Sequence, residues 1–142
     1  EVSIQGLHIL LAEDNELNME IAEFIVENEG AVPAKAENGE EAVELFRKSA
    51  VGTYDVILMD IMMPVMDGLT AARKIRAMDR PDAKTIPIIA MTANAFTEDK
   101  LKTKEAGMNE HMSKPLNREQ LVRTIARLMQ EADDAMYEDN RK

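Results

Sequence analysis

The chain has 142 residues, is 45% hydrophobic and 31% charged, lacks cysteine and carries a formal net charge of −10. That length suits one domain with a core of useful size, and the missing cysteine excludes disulfide and thiol chemistry. The acidic balance argues against direct nucleic-acid binding and against attraction to an anionic membrane, and no apolar run approaches a membrane span or a signal peptide.

Apolar runs alternate with amphipathic stretches along the chain. Residues 7–12 read as a first strand, followed by a helix over about 16–29 with Asn15 as N-cap and Gly30 as its stop. Spacing places Leu17, Ile21 and Ile25 on the inner face of that helix. Residues 31–36 form a weak strand, and Pro33 assigns it to a sheet edge. A helix over about 39–49 turns Ala42, Val43, Leu45 and Phe46 inward. Residues 55–60 are almost continuously apolar, as a central parallel strand should be. A helix over about 67–79 buries Leu69, Ala72 and Ile75, and residues 79–85 read as a surface loop.

Residues 86–91 form another apolar strand. A weakly amphipathic helix over about 97–106 buries Leu101 and Ala106 and stops at Gly107. A short strand at about 109–113 precedes a helix over about 117–131. Residues 132–142 read as a charged tail that frays, and residues 1–6 as an N-terminal extension of a domain over 7–131. Five βα units predict an α/β, doubly wound, flavodoxin-like (βα)5 domain with parallel sheet order 2-1-3-4-5.

Polar residues capable of chemistry sit where the strand-like runs stop. Glu13 and Asp14 follow the first, Asp60 follows Val56-Ile57-Leu58-Met59, and Lys114 follows His111-Met112-Ser113. Ligands of open parallel sheets bind in the crevice at the carboxyl ends of the strands. Three carboxylates gathered there repel one another unless a cation neutralises them, and Mg²⁺ suits an oxygen-rich set. A lysine beside them is a point charge for phosphate. The group reads as a metal-dependent phosphoryl site with Asp60 as nucleophile. Capping of the first helix could by itself account for Glu13 and Asp14, which immediately precede Asn15; Thr92 alone is an ordinary strand-end residue, and Lys114 alone a solvated lysine. Whether the Lys114–Pro115 bond is cis is undecidable from sequence.

Four segments in order carry a resemblance: Leu10-Leu11-Ala12-Glu13-Asp14-Asn15, Met59-Asp60-Ile61-Met62-Met63-Pro64-Val65-Met66-Asp67-Gly68, Met91-Thr92-Ala93 and Ser113-Lys114-Pro115. Over about residues 7–131 the chain resembles a response regulator receiver domain of two-component signalling. The resemblance implies that Asp60 accepts phosphate from the phosphohistidine of a histidine kinase or a histidine phosphotransfer domain. It implies Mg²⁺ (or Mn²⁺) held by Asp14, Asp60 and the backbone carbonyl of Met62, with Glu13 acting through water. Thr92 and Lys114 would hold phosphate oxygens, and small Ala93 would leave room for the phosphoryl group. The family's rotating aromatic position is His111 here, a switch candidate that departs from the usual Tyr or Phe. The output face would comprise the helix over 97–106, the strand at 109–113 and the helix over 117–131, and would also offer a surface for dimerisation. The segments Glu13-Asp14-Asn15 with Asn18, Met91-Thr92-Ala93-Asn94-Ala95 and Gly107-Met108-Asn109 most resemble receivers fused to hybrid sensor histidine kinases. The Glu1 start fits excision from such a chain, whose receiver would be cytoplasmic even if the parent were membrane-anchored.

Two other classes compete. A Mg²⁺-dependent phosphohydrolase with an Asp nucleophile needs a second acid two residues on, where Met62 stands. A flavodoxin-like electron carrier needs a Ser/Thr/Gly-rich phosphate loop after the first strand, where Glu13-Asp14-Asn15-Glu16 would repel a flavin phosphate.

Overall fold

Five short strands form one parallel sheet in the order β2-β1-β3-β4-β5, as the alternating pattern predicted. They are β1 (His8–Ala12), β2 (Val32–Ala36), β3 (Val56–Asp60), β4 (Ile88–Thr92) and β5 (Glu110–Ser113). The computed structural model describes residues 2–140. Every residue of β3 and β4 is buried, which explains their unbroken apolar runs: helices cover both faces of a parallel sheet. Pro33 sits in β2, which pairs with β1 alone, so its missing N–H faces the open edge.

The sheet separates two cores. On one face Leu10, Ile57, Met59, Ile88 and Ala90 pack against α2 (Gly39–Lys48) and α3 (Gly68–Arg76) through Phe46, Ala72 and Ile75. On the other, Ile9, Leu11, Leu58, Ile89 and Met91 pack against α1 (Glu16–Asn28) and the C-terminal helix through Ala22, Val26, Leu121 and Ile125. Each fully buried large aliphatic side chain contributes roughly 1.5–3 kcal/mol of transfer free energy.

Four local expectations are corrected. In α1 the buried residues are Met19, Ala22 and Val26; Leu17 is 64% exposed, and Ile21 and Ile25 lie half-buried. The expected loop 79–85 contains a helix, α4 (Pro81–Thr85), with Pro at its first turn and Ala83 fully buried. Arg80 anchors that helix: its guanidinium donates to the carbonyl oxygens of Phe46 and Ser49 and pairs with Asp82. The expected helix 97–106 contracts to α5 (Lys100–Glu105), capped by the Asp99 carboxylate; Thr103 and Ala106 are buried while Leu101 is 67% exposed. The expected helix 117–131 runs on as α6 (Arg118–Asn140), so the charged segment is helical rather than frayed.

The expected N-terminal extension is tied down as well. Ile4 is fully buried and the Gly6 N–H donates to the Gly30 carbonyl. Glu1 of that extension and residues 141–142 of the tail lie outside the described residues. Among the described residues no helix is long and apolar enough to cross a membrane.

Candidate functional site

Strand register brings the chemistry together. Ala12 aligns with Met59, Asp60 with Met91, and Thr92 with Ser113, so the four strands end at nearly one level. The residues leaving those ends, Glu13, Asp14, Asp60, Thr92 and Lys114, therefore crowd one edge of the sheet. The loop after Asp60 folds back tightly: a Cβ on Gly68 would stand 2.1 Å from the Asp60 carbonyl oxygen, so only glycine fits. The Asp67 side chain caps α3 by accepting from the Thr70 N–H, which fixes where the loop ends.

Glu13, Asp14 and Asp60 each offer a carboxylate oxygen, and the three oxygens lie within 4.8 Å of one another. Glu13 and Asp60 are buried, whereas Asp14 is exposed. Lys114 Nζ bridges the buried pair, 3.1 Å from Asp60 Oδ2 and 3.3 Å from Glu13 Oε1. Asp60 also accepts from the Met62 N–H, and Glu13 from the Asn15 N–H. The Lys114–Pro115 peptide bond, left open by the sequence, is cis.

One ammonium does not neutralise three acids. Burial, then the neighbouring Glu13 charge, pushes the Asp60 carboxyl up to about 6 from 3.8, although Lys114 pulls the other way. Burial lowers Lys114, but the hydrogen bond and charge of Asp60, then of Glu13, outweigh it and raise the ammonium above its ordinary value. A buried carboxylate pair with an exposed third acid is an incompletely compensated set of hard oxygen donors, which is what a divalent cation requires. The residues present therefore fit Mg²⁺.

Thr92 and His111 are hydrogen-bonded to partners outside the carboxylate–lysine group. Thr92 is buried, and its hydroxyl donates to Glu98 Oε2 at 3.1 Å. His111 aligns with Ala90, two residues short of the strand end, and its Nε2 lies 2.5 Å from Thr103 Oγ1 in α5. Sequence reasoning missed both partners, Glu98 and Thr103. A polar residue inside a short helical pattern was the only cue for Thr103, and no local cue marked Glu98.

The profile of the family described as "response regulator receiver domain" matches residues 9–126. The chain belongs to that family. This receiver domain is 41% identical over 122 residues to hybrid signal transduction histidine kinase M of Dictyostelium discoideum, covering 85% of this chain and 5% of that protein. It is 35% identical over 133 residues to probable histidine kinase 2 of Oryza sativa, covering 86% of this chain and 13% of that protein. The receiver thus spans a small part of the curated relatives it matches. Its fold superposes on the receiver domain of a sensor histidine kinase from Pseudomonas aeruginosa PAO1, with TM-score 0.78 and 38% identity over 87% of this chain and 98% of that one. That crystal structure holds a magnesium ion coordinated in its active-site cleft. The sheet order likewise matches Vibrio cholerae chemotaxis protein CheY4, with TM-score 0.77 and 27% identity over 87% of this chain and 98% of that chain. The chain is a receiver domain of the two-component or phosphorelay class.

Proposed function

We propose that Asp60 is the phosphoacceptor of this receiver and that a phosphohistidine on a histidine kinase or a histidine phosphotransfer domain is its donor. The observation that carries this reading is the group of three carboxylate oxygens within 4.8 Å, bridged by Lys114. An Asp60 carboxylate oxygen attacks phosphorus, the O–P bond forms, the P–N bond breaks, and the imidazole nitrogen leaves with the bonding pair. Glu13, Asp14, Asp60 and the Met62 carbonyl would hold Mg²⁺ (or Mn²⁺), which when bound neutralises charge on the phosphoryl oxygens. Lys114 supplies a fixed positive charge to one of those oxygens. Thr92 supplies a hydroxyl donor after leaving Glu98, and Ala93 adds no bulk at the strand end. Self-dephosphorylation would use the same residues with water as nucleophile.

Exposed apolar side chains surround this edge. Leu17 is 64%, Met62 79%, Val65 74% and Phe96 94% exposed, and all lie on segments that follow β1, β3 or β4. Such a rim supports docking of the histidine-bearing partner, with water excluded around the transfer. Signal output then runs through α5, β5 and α6, with His111 and its Thr103 contact reporting the change; self-association through that face is a further expectation. Residues 7–131 are the functional unit, and within a longer kinase it works on the cytoplasmic side.

Intact mass after treatment with a small acyl phosphate tests the assignment. The native chain with Mg²⁺ gains one phosphoryl mass, mapped to Asp60, and Asp60→Asn gains none. Phosphate on another residue, or undiminished uptake by Asp60→Asn, sinks it.

A further inference from the structure

At the opposite end of the sheet lies a groove of about 580 Å³ between the end of α3, α4 and α5. Arg76, Lys84, Lys100 and Lys104 line it, together with Asn109 and His111 near the start of β5. No carboxylate lines it, and among the described residues none of those four cations forms an ion pair. The acids nearest in sequence, Asp99 and Glu105, flank the two lysines of α5, and Asp99 is engaged in capping that helix. On a chain of net charge −10, four unneutralised cations converging on one groove stand out.

The floor is built rather than incidental. The Arg76 guanidinium donates to the carbonyl oxygens of Gly107 and Ala83 and to Asn109 Oδ1. The Arg76 side chain passes close against Gly107, where a Cβ would stand 2.7 Å from Arg76 Cγ; the φ of +97° there also favours glycine. Burial lowers Arg76 to about 10, so it stays charged at neutral pH. Lys84 Nζ donates to the carbonyls of Arg76 and Met78, which holds it at the rim and leaves its charge uncompensated. Lys100 and Lys104 are exposed on the facing helix.

We propose that this groove binds a compact polyphosphate group. Its volume is that of a small-molecule site. Its charges come from three elements and face one space, which suits a dense anion; an acidic peptide would need a longer track. A single phosphate would engage only a fraction of the four cations. Because His111 also lines the groove and touches Thr103 of α5, an occupant would tie α5 to the α3–α4 end. Occupancy would thereby bias the position of that helix without touching Asp60.

The test uses tripolyphosphate with the full chain in buffer stripped of divalent ions by resin, read by backbone amide shifts. Saturable shifts should concentrate at residues 76, 84, 100–109 and 111. Lys100→Glu and Lys104→Glu should each weaken binding at least fivefold, whereas Lys48→Glu, the same charge change on α2, should leave it within twofold. All three lysines are exposed, so these variants fold. Non-saturating shifts, equal weakening by Lys48→Glu, or tighter binding of a poly-glutamate peptide to the same residues would each overturn the proposal.

Discussion

Asp60→Asn should make the metal-free protein more stable. The carboxyl is displaced from 3.8 to about 6 because burial and the Glu13 charge oppose ionisation in the folded state. That displacement corresponds to roughly 3 kcal/mol of preference for the neutral form. Asn keeps the shape and the acceptor for the Met62 N–H without the charge, and Lys114 retains Glu13. Local relaxation recovers part of the penalty, so a gain of about 1–3 kcal/mol is expected, or roughly 3–10 °C in Tm for a chain this size. The sign with pH follows from proton binding. Between 3.8 and about 6 the folded state holds a proton that the unfolded state has released, so this group's contribution to stability falls as pH rises through that window. The advantage of Asn is therefore full above pH ~6 and gone near pH ~4. Saturating Mg²⁺ stabilises the native chain by mass action and should narrow the gap. Urea denaturation followed by circular dichroism, across that pH range with and without Mg²⁺, measures all three trends. An Asn variant that is no more stable at neutral pH, or a gap that ignores pH, would refute the reasoning.

Other outcomes follow from the same geometry. Asp14→Ala should weaken Mg²⁺ binding more than Glu13→Ala, since Asp14 is assigned a direct contact and Glu13 an outer one already engaged with Lys114 and Asn15; calorimetric titration giving equal affinities would contradict that division. Gly68→Ala forces a Cβ against the Asp60 carbonyl and should cost roughly 2 kcal/mol or more while slowing acyl phosphate uptake; denaturation and mass-based kinetics read both effects. A beryllofluoride mimic with Mg²⁺ should change amide exchange across residues 93–118, because α5 is short and its Leu101 is exposed rather than packed. Changes confined to the loops after β1 and β3 would count against that output face.

The sheet and its site edge were legible in the sequence because both depend on short-range signals. Residues 56–60 and 88–92 lie in strands buried on both faces, so their apolar runs have no polar interruption to misread. Glu13, Asp60 and Lys114 could be placed from the end of each run, since a parallel sheet delivers all its carboxyl ends to one side. What only the tertiary structure decided lies where one chain segment offers several equivalent solutions. Apolar residues 17, 19, 21, 22, 24, 25 and 26 of α1 cover most of the helix circumference, so periodicity could not choose a face. Packing on the sheet selected Met19, Ala22 and Val26 and left Leu17 and Phe24 outward. The helix at 81–85 is too short to form alone and exists because Arg80 reaches carbonyl oxygens more than thirty residues away in sequence. Thr92 with Glu98 and Thr103 with His111 are contacts between side chains whose meeting depends on loop paths. Local periodicity carries the strands and their ends; the choice of a helix face, and of polar partners that meet only when a loop folds back, belongs to packing, which periodicity does not encode.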